Sequence, residues 1–185
     1  MRADAQKNYA LILSVARDVV AEQGADASLR DIARRADVGL GTLYRHFPSR
    51  EALFDVLLRS SLDQLTGLAA ELEAAHAPDE ALVAWARDAV AWTQQFRGVV
   101  DLMAAAMDDE TSPLYVACKA VRSSGARLLA RAQAEGTARK DIDGADFLAL
   151  IAGLAWLGEQ AAFAPRAPHL FGIVTGALLG APAKR

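Results

Sequence analysis

From Ser28 to Phe47 the chain reads SLRDIARRADVGLGTLYRHF. Leu29, Ile32, Ala33 and Ala36 recur at helical spacing, so the first part is an amphipathic helix. Ser28 stands just before it and Asp31 three residues on, the pattern of a capping box. Asp37-Val38-Gly39 makes a short turn, and a second helix is predicted over Leu40–His46. On that helix Leu43, with Val38 and Phe47, points to the core, whereas Thr42, Tyr44, Arg45 and His46 point outward. Gly39, Gly41 and Thr42 keep it slim where it would approach another surface. Glycine weakens so short a helix, so packing must hold it, and a plain core helix would have no use for such a composition. Two short helices joined by a three-residue turn, behind a longer supporting helix, form a helix-turn-helix. Its second helix lies in the major groove of DNA while the first crosses the backbone.

Upstream, Tyr9, Ile12, Leu13, Ala16, Val19 and Val20 form the stripe of that supporting helix, and Gly24 supplies its stop. Downstream, Pro48 ends the second helix, Ser49 caps a new one and Glu51 sits favourably in its first turn. This fourth helix is long: Leu53, Phe54, Leu57, Leu58, Leu62, Leu65, Leu68 and Leu72 keep one face apolar until His76-Ala77-Pro78. Helices are further predicted over Asp79–Phe96, Gly98–Met107, Ser112–Glu135, Asp143–Phe163 and Arg166–Leu179, with Gly and Pro in most of the breaks. About nine helices and no alternating stretch make the fold class all-α.

The string from Leu29 through Gly41-Thr42-Leu43-Tyr44-Arg45-His46-Phe47-Pro48-Ser49-Arg50 to Leu53 resembles the DNA-binding signature of the TetR family. The resemblance covers about residues 8–58, with glycine, aromatic and capping positions agreeing together. It implies an N-terminal three-helix DNA-binding domain (residues 1–59) and a C-terminal helical ligand-binding and dimerisation domain (residues 60–185). It implies a homodimer on a double-stranded DNA operator, usually a repressor released by a small-molecule effector of unknown identity. Phosphate contacts would come from Ser28, Tyr44, His46 and Arg50, and base-edge contacts from Leu40, Gly41 and Thr42. Arg30 and Arg45 could serve either use. Gly39 departs from the family pattern, where a Ser or Thr often caps the recognition helix; glycine there costs the cap only a few tenths of a kcal/mol, but a side-chain contact to DNA is lost.

The formal net charge of the 185 residues is −3. Residues 1–58 carry eight Lys/Arg against eight Asp/Glu, so DNA contact must come from a local basic surface rather than from the whole-protein field. No run of 18 uncharged apolar residues argues for a membrane span, and no signal-type block opens the chain, so a cytoplasmic location is expected. Cys118 is the single cysteine, which excludes an internal disulfide. Three scattered histidines, no phosphate-binding glycine loop and no nucleophile elbow leave an enzyme only a distant alternative, and no cofactor or metal is expected. A nearer one is an architectural or protein-interacting DNA binder without an effector.

In the C-terminal half, Gly172, Gly176 and Gly180 repeat every four residues, and Ala149, Ala152 and Gly153 lie on the preceding helix. Glycine inside a helix costs about 1 kcal/mol against alanine, so the repeat implies close helix approach. That approach is either to a second copy, with Ala149, Gly153, Gly172 and Gly176 at a dimer interface, or within one chain. Trp85, Trp92 and Phe96, with Met103, Met107 and Trp156, are either core or the lining of an effector pocket. Such pockets are mostly apolar with a few placed polar groups, for which Gln95, Arg122, Glu159 and Gln160 are candidates.

Overall fold

A computed structural model describes residues 2–96 and 109–180. Among these residues it contains eight α-helices, two short 3-10 turns and no strand. The helices are α1 (Arg2–Gln23), α2 (Leu29–Arg35), α3 (Leu40–His46), α4 (Arg50–Ala75), α5 (Pro78–Gln95), α6 (Pro113–Ala134), α7 (Gly144–Glu159) and α8 (Ala167–Leu179). The helix expected over Gly98–Met107, with Met103 and Met107, lies outside the described residues.

Two compact units emerge. One comprises Met1–Ser61 with Gln95–Tyr115, the other Leu62–Gln94 with Val116–Arg185. In the first, Ile12, Ala16 and Val19 of α1 are fully buried with Ile32 of α2, Leu43 of α3 and Leu53 of α4. Gly24 follows α1 with φ +61°, a left-handed conformation that costs glycine little. At the end of α2 the backbone turns through Asp37, at φ +51° the one non-glycine residue with positive φ among those described. The Val38 N–H donates to the Ala33 carbonyl (3.0 Å) and the Asp37 N–H to that of Arg34 (3.3 Å). This is a Schellman closure, and a short polar side chain such as Asp tolerates the left-handed position better than most.

In the second unit Leu62, Leu82, Trp85, Leu128, Leu129, Phe147 and Ala155 form the core. The Trp85 Nε1–H donates to the Leu65 carbonyl at 3.0 Å, and its ring packs over Gly125, where a Cβ would stand only 2.9 Å from it. Asp143 caps α7 by accepting from the Ala145 and Asp146 N–H groups, and Asp146 accepts in return from the Asp143 N–H. Gly136 closes α6 at φ +77°.

The capping box expected at Ser28 is not formed. Ser28 has extended N-cap geometry but its side chain makes no cap hydrogen bond. Asp31 is engaged elsewhere: it accepts from Gln23 (3.1 Å), from Arg34 and from Arg35 (3.0 Å), and Arg35 also pairs with Glu22 (2.7 Å). The carboxylate that would have closed the box instead ties α2 to the end of α1.

Candidate nucleic-acid interface

The surface to consider is built by α3, the residue before α2 and the start of α4. Leu43 and Phe47 anchor α3 from below, both essentially inaccessible, and the Phe47 ring stacks on Tyr9 of α1 at 5.1 Å. The opposite face is left open. Tyr44 is 47% exposed, Arg45, Arg30 and Ser28 are exposed, and Leu40 and Thr42 are half-buried. Gly41 is exposed and nothing in the chain comes within 4 Å of where its Cβ would stand. Internal packing therefore does not explain this glycine; a close external surface would.

Arg45 is held along its own helix. Its Nη2 donates to the Thr42 hydroxyl at 3.0 Å and its Nε to the Gly41 carbonyl at 3.3 Å. These bonds orient Arg45 and Thr42 together, one turn apart on the outward face. His46 is half-buried, with its ring edge-on to Tyr9 at 6.1 Å. Gly39 caps α3 in extended geometry with no side-chain bond, and its carbonyl accepts from the Thr42 and Leu43 N–H groups.

At the start of α4 the Ser49 hydroxyl accepts from the Ala52 N–H at 3.1 Å, as a helix cap should. Backbone N–H and the Ser49 hydroxyl hold the Glu51 carboxyl below its ordinary range. The Arg50 guanidinium lies over the Phe54 ring, 4.8 Å from its centroid, with Nε and Nη2 covered and without hydrogen-bond partners. A group with unsatisfied covered donors has reason to swing outward when an anion comes within reach. Of the residues expected to touch DNA, Ser28 precedes α2, Arg30 lies on it, Leu40, Gly41, Thr42, Tyr44, Arg45 and His46 lie on α3, and Arg50 opens α4. Sequence reading missed how Asp31 acts: it bonds Arg34 and Arg35 on its own helix and Gln23 of α1, leaving Ser28 unengaged.

The residues proposed as pocket lining scatter. Trp85 is a core residue, and Phe96 is buried in the other unit. Trp92 is half-buried on α5. Trp156 is 59% exposed, on the outer face of α7 with Ala149 and Gly153. Helical spacing places aromatics on one stripe but does not say which stripe is covered. The polar groups are different too. A groove of about 310 Å³ between α5, α7 and α8 is lined by Arg87 and Gln94, not by Gln95, Glu159 or Gln160. Arg122 lines a separate, larger groove with Asp143.

The outer faces of α7 and α8 carry exposed apolar groups: Leu150, Trp156 and Ile173, the last 53% exposed. Gly153, Gly172 and Gly176 each have open space where a Cβ would stand. Among the described residues no part of the chain comes within 4 Å of where those Cβ atoms would stand.

Comparison with known proteins agrees with this architecture. Residues 12–57 match the family described as bacterial regulatory proteins, tetR family. Residues 77–178 match the C-terminal domain of transcriptional regulators described as SbtR-like. The crystal structure of the TetR transcriptional regulator SCO0520 from Streptomyces coelicolor is 34% identical, covers 92% of this chain and 98% of that one, and superposes with a TM-score of 0.73. A TetR transcription regulatory protein from Mycobacterium vanbaalenii is 33% identical over 97% of this chain and 99% of its own, with a TM-score of 0.72. The HTH-type transcriptional repressor KstR2 of Rhodococcus jostii is 39% identical over 84 residues, 43% of this chain and 41% of that protein. The match to such curated relatives spans well under half of their length, and the HTH-type regulator SAR0097 of Staphylococcus aureus matches over 35% of its own. A helix-turn-helix with an open recognition face, a separate helical unit, and matches to both parts of the chain place this protein in the TetR family of DNA-binding transcriptional regulators.

Proposed function

We propose that the protein is a cytoplasmic, ligand-released repressor that binds an inverted-repeat operator as a homodimer. The observation that carries the dimer is the outer face of α7 and α8, where Gly153, Gly172 and Gly176 stand open beside exposed Leu150, Trp156 and Ile173. Removing that apolar surface from water stabilises an assembly at roughly 25 cal/mol per Å², and glycines let two helices approach closely in a four-helix arrangement. Two-fold symmetry in the protein then asks for two half-sites about one or more helical turns apart, ~34–36 Å per turn.

On each half-site Ser28, Tyr44, His46 and Arg50 hold phosphates. Leu40, Gly41 and Thr42 meet base edges, and Arg45 is steered by its bond to the Thr42 hydroxyl. Repression is supported by KstR2, a relative named as a repressor. No described helix is long and apolar enough to cross a membrane, which accords with a regulator that meets DNA in the cytoplasm. Release follows if an effector prefers the dimer form that does not fit the operator; a coupling of about 1–3 kcal/mol weakens DNA binding about 5–150-fold.

Selection from a random duplex library tests the central claim. It should return an inverted repeat, bound with an affinity that falls steeply with salt as counterions are released. A selected single half-site, or no enrichment over random DNA, refutes the reading.

A further inference from the structure

Along α5, Arg87, Val90 and Gln94 stand at spacings of three and four, which sets them on one stripe of the helix. Leu154 of α7 and Pro168 and Phe171 of α8 face that stripe across the groove of about 310 Å³. The volume is at the lower end of small-molecule sites and equals about ten water volumes of roughly 30 Å³ each. It therefore suits a compact ligand.

Among the described residues Arg87 is the only basic side chain lining the groove, and it forms no ion pair there. Its guanidinium lies over the Phe171 ring, 5.5 Å from the centroid. A guanidinium over a ring without an ion-pair partner keeps N–H donors for an incoming anion, and its planar fork can take a carboxylate in bidentate fashion. Gln94 adds no charge of its own, and one N–H of its Nε2 donates to the Ala155 carbonyl at 3.3 Å. Gly158 makes that bond possible: a Cβ there would overlap the Gln94 amide. One cation at the rim, a neutral floor and apolar walls specify a ligand with one negative charge on an apolar body.

We infer that this groove binds a small aromatic carboxylate, with the ring against Phe171, Leu154 and Pro168 and the carboxylate on Arg87. The inference rests on the ligand-release reading and names the chemistry of the ligand. Pro168 lies one turn before Gly172 on α8, so the mouth of the groove borders the apolar face assigned to the dimer. Occupancy there acts directly on the packing of α8, the element through which two copies would meet.

Calorimetric titration of the full chain, without DNA, with cinnamate and with the neutral, isosteric cinnamamide reads the site. Cinnamate should bind at or below millimolar concentration and at least ten-fold tighter than the amide, since a charge-assisted bidentate pair is about twice as strong as a neutral one. Arg87→Gln should abolish that preference without unfolding the protein, because Arg87 is exposed. Gly158→Ala should weaken both probes by displacing Gln94. Arg122→Gln, in the other groove, should leave both unchanged. No binding, equal binding of acid and amide, or loss of cinnamate binding in Arg122→Gln rather than Arg87→Gln overturns the site. Because binding is read apart from DNA, cinnamate that binds through Arg87 yet leaves operator affinity unchanged supports the site and refutes ligand release.

Discussion

Gly41 carries a conflict between local stability and use. It stands inside the seven-residue α3, open to solvent, with no neighbour to exclude a methyl group. Alanine there should favour the helix by about 1 kcal/mol, which raises the melting temperature of a chain this size by about 2–4 °C. In the proposed DNA complex the same methyl would stand between α3 and the floor of the major groove. Gly41→Ala is therefore expected to melt higher and to bind the selected operator at least ten-fold more weakly, by thermal unfolding and by fluorescence anisotropy. A variant that melts higher and binds equally well would show that α3 does not approach DNA through this face.

Asp31 decides a second residue-level outcome. The Arg34 hydrogen bond holds its carboxyl below the ordinary value of 3.8; desolvation, next in size, opposes it, and the Gln23 hydrogen bond and the charges of Arg35 and Arg34 add to the lowering. A carboxyl depressed in the folded state contributes stability that is complete above its unfolded pKa and is lost as pH falls through its folded pKa. The acid limb of the unfolding profile, below about pH 4, should accordingly be shallower in Asp31→Asn than in the parent. Identical acid limbs in the two proteins would mean that the bonds of Asp31 to Arg34, Arg35 and Gln23 contribute nothing to stability. The site is exposed, so salt should also shrink the difference.

At the scale of elements, most helices are legible because punctuation is local. Gly24 ends α1, Ser49 starts α4, Asp143 caps α7, and each does so through bonds to residues two to five away or through its own φ. What the sequence conceals is long-range. The Ser28 box fails because Asp31 meets Gln23, eight residues upstream, and no periodicity announces that competition. The tryptophans show the same limit: Trp85 and Trp156 both sit on regular apolar stripes, but only the packed structure makes one a core residue and the other a surface one. Gln94 joins a groove wall because Gly158, on another helix, leaves it room. The contrast is measurable. Trp85→Phe removes the donor to the buried Leu65 carbonyl and should cost about 1–3 kcal/mol, seen as a lower denaturant midpoint. Trp156→Ser should leave the unfolding of a single chain within about 0.5 kcal/mol of the parent while weakening self-association. Similar losses of stability in both variants would put Trp156 in a packed environment within the chain.

For the whole molecule the decisive quantity is self-association, because one copy presents one recognition helix and a palindromic site needs two. The exposed face of α7 and α8 combines large apolar groups with glycines whose Cβ positions meet nothing among the described residues. Glycine weakens α8 relative to alanine, and in the proposed dimer a second copy laid against the face would supply compensating contacts. Leucine at Gly172 and Gly176 should improve the intrinsic propensity of α8, by close to 1 kcal/mol at each position at most, so a folding defect is not the expected result. The added side chains would instead hold two helices apart and forfeit contacts along the whole interface. The double variant Gly172→Leu/Gly176→Leu should keep the helical circular dichroism of the parent and sediment as a monomer at concentrations where the parent is a dimer. Its affinity for a full inverted repeat should fall toward that for an isolated half-site, since the second half-site no longer reinforces the first. A double variant that still sediments as a dimer would move the interface off these helices. One that is monomeric and yet binds the full repeat as tightly as the parent would show that the repeat is read by copies joined only on DNA.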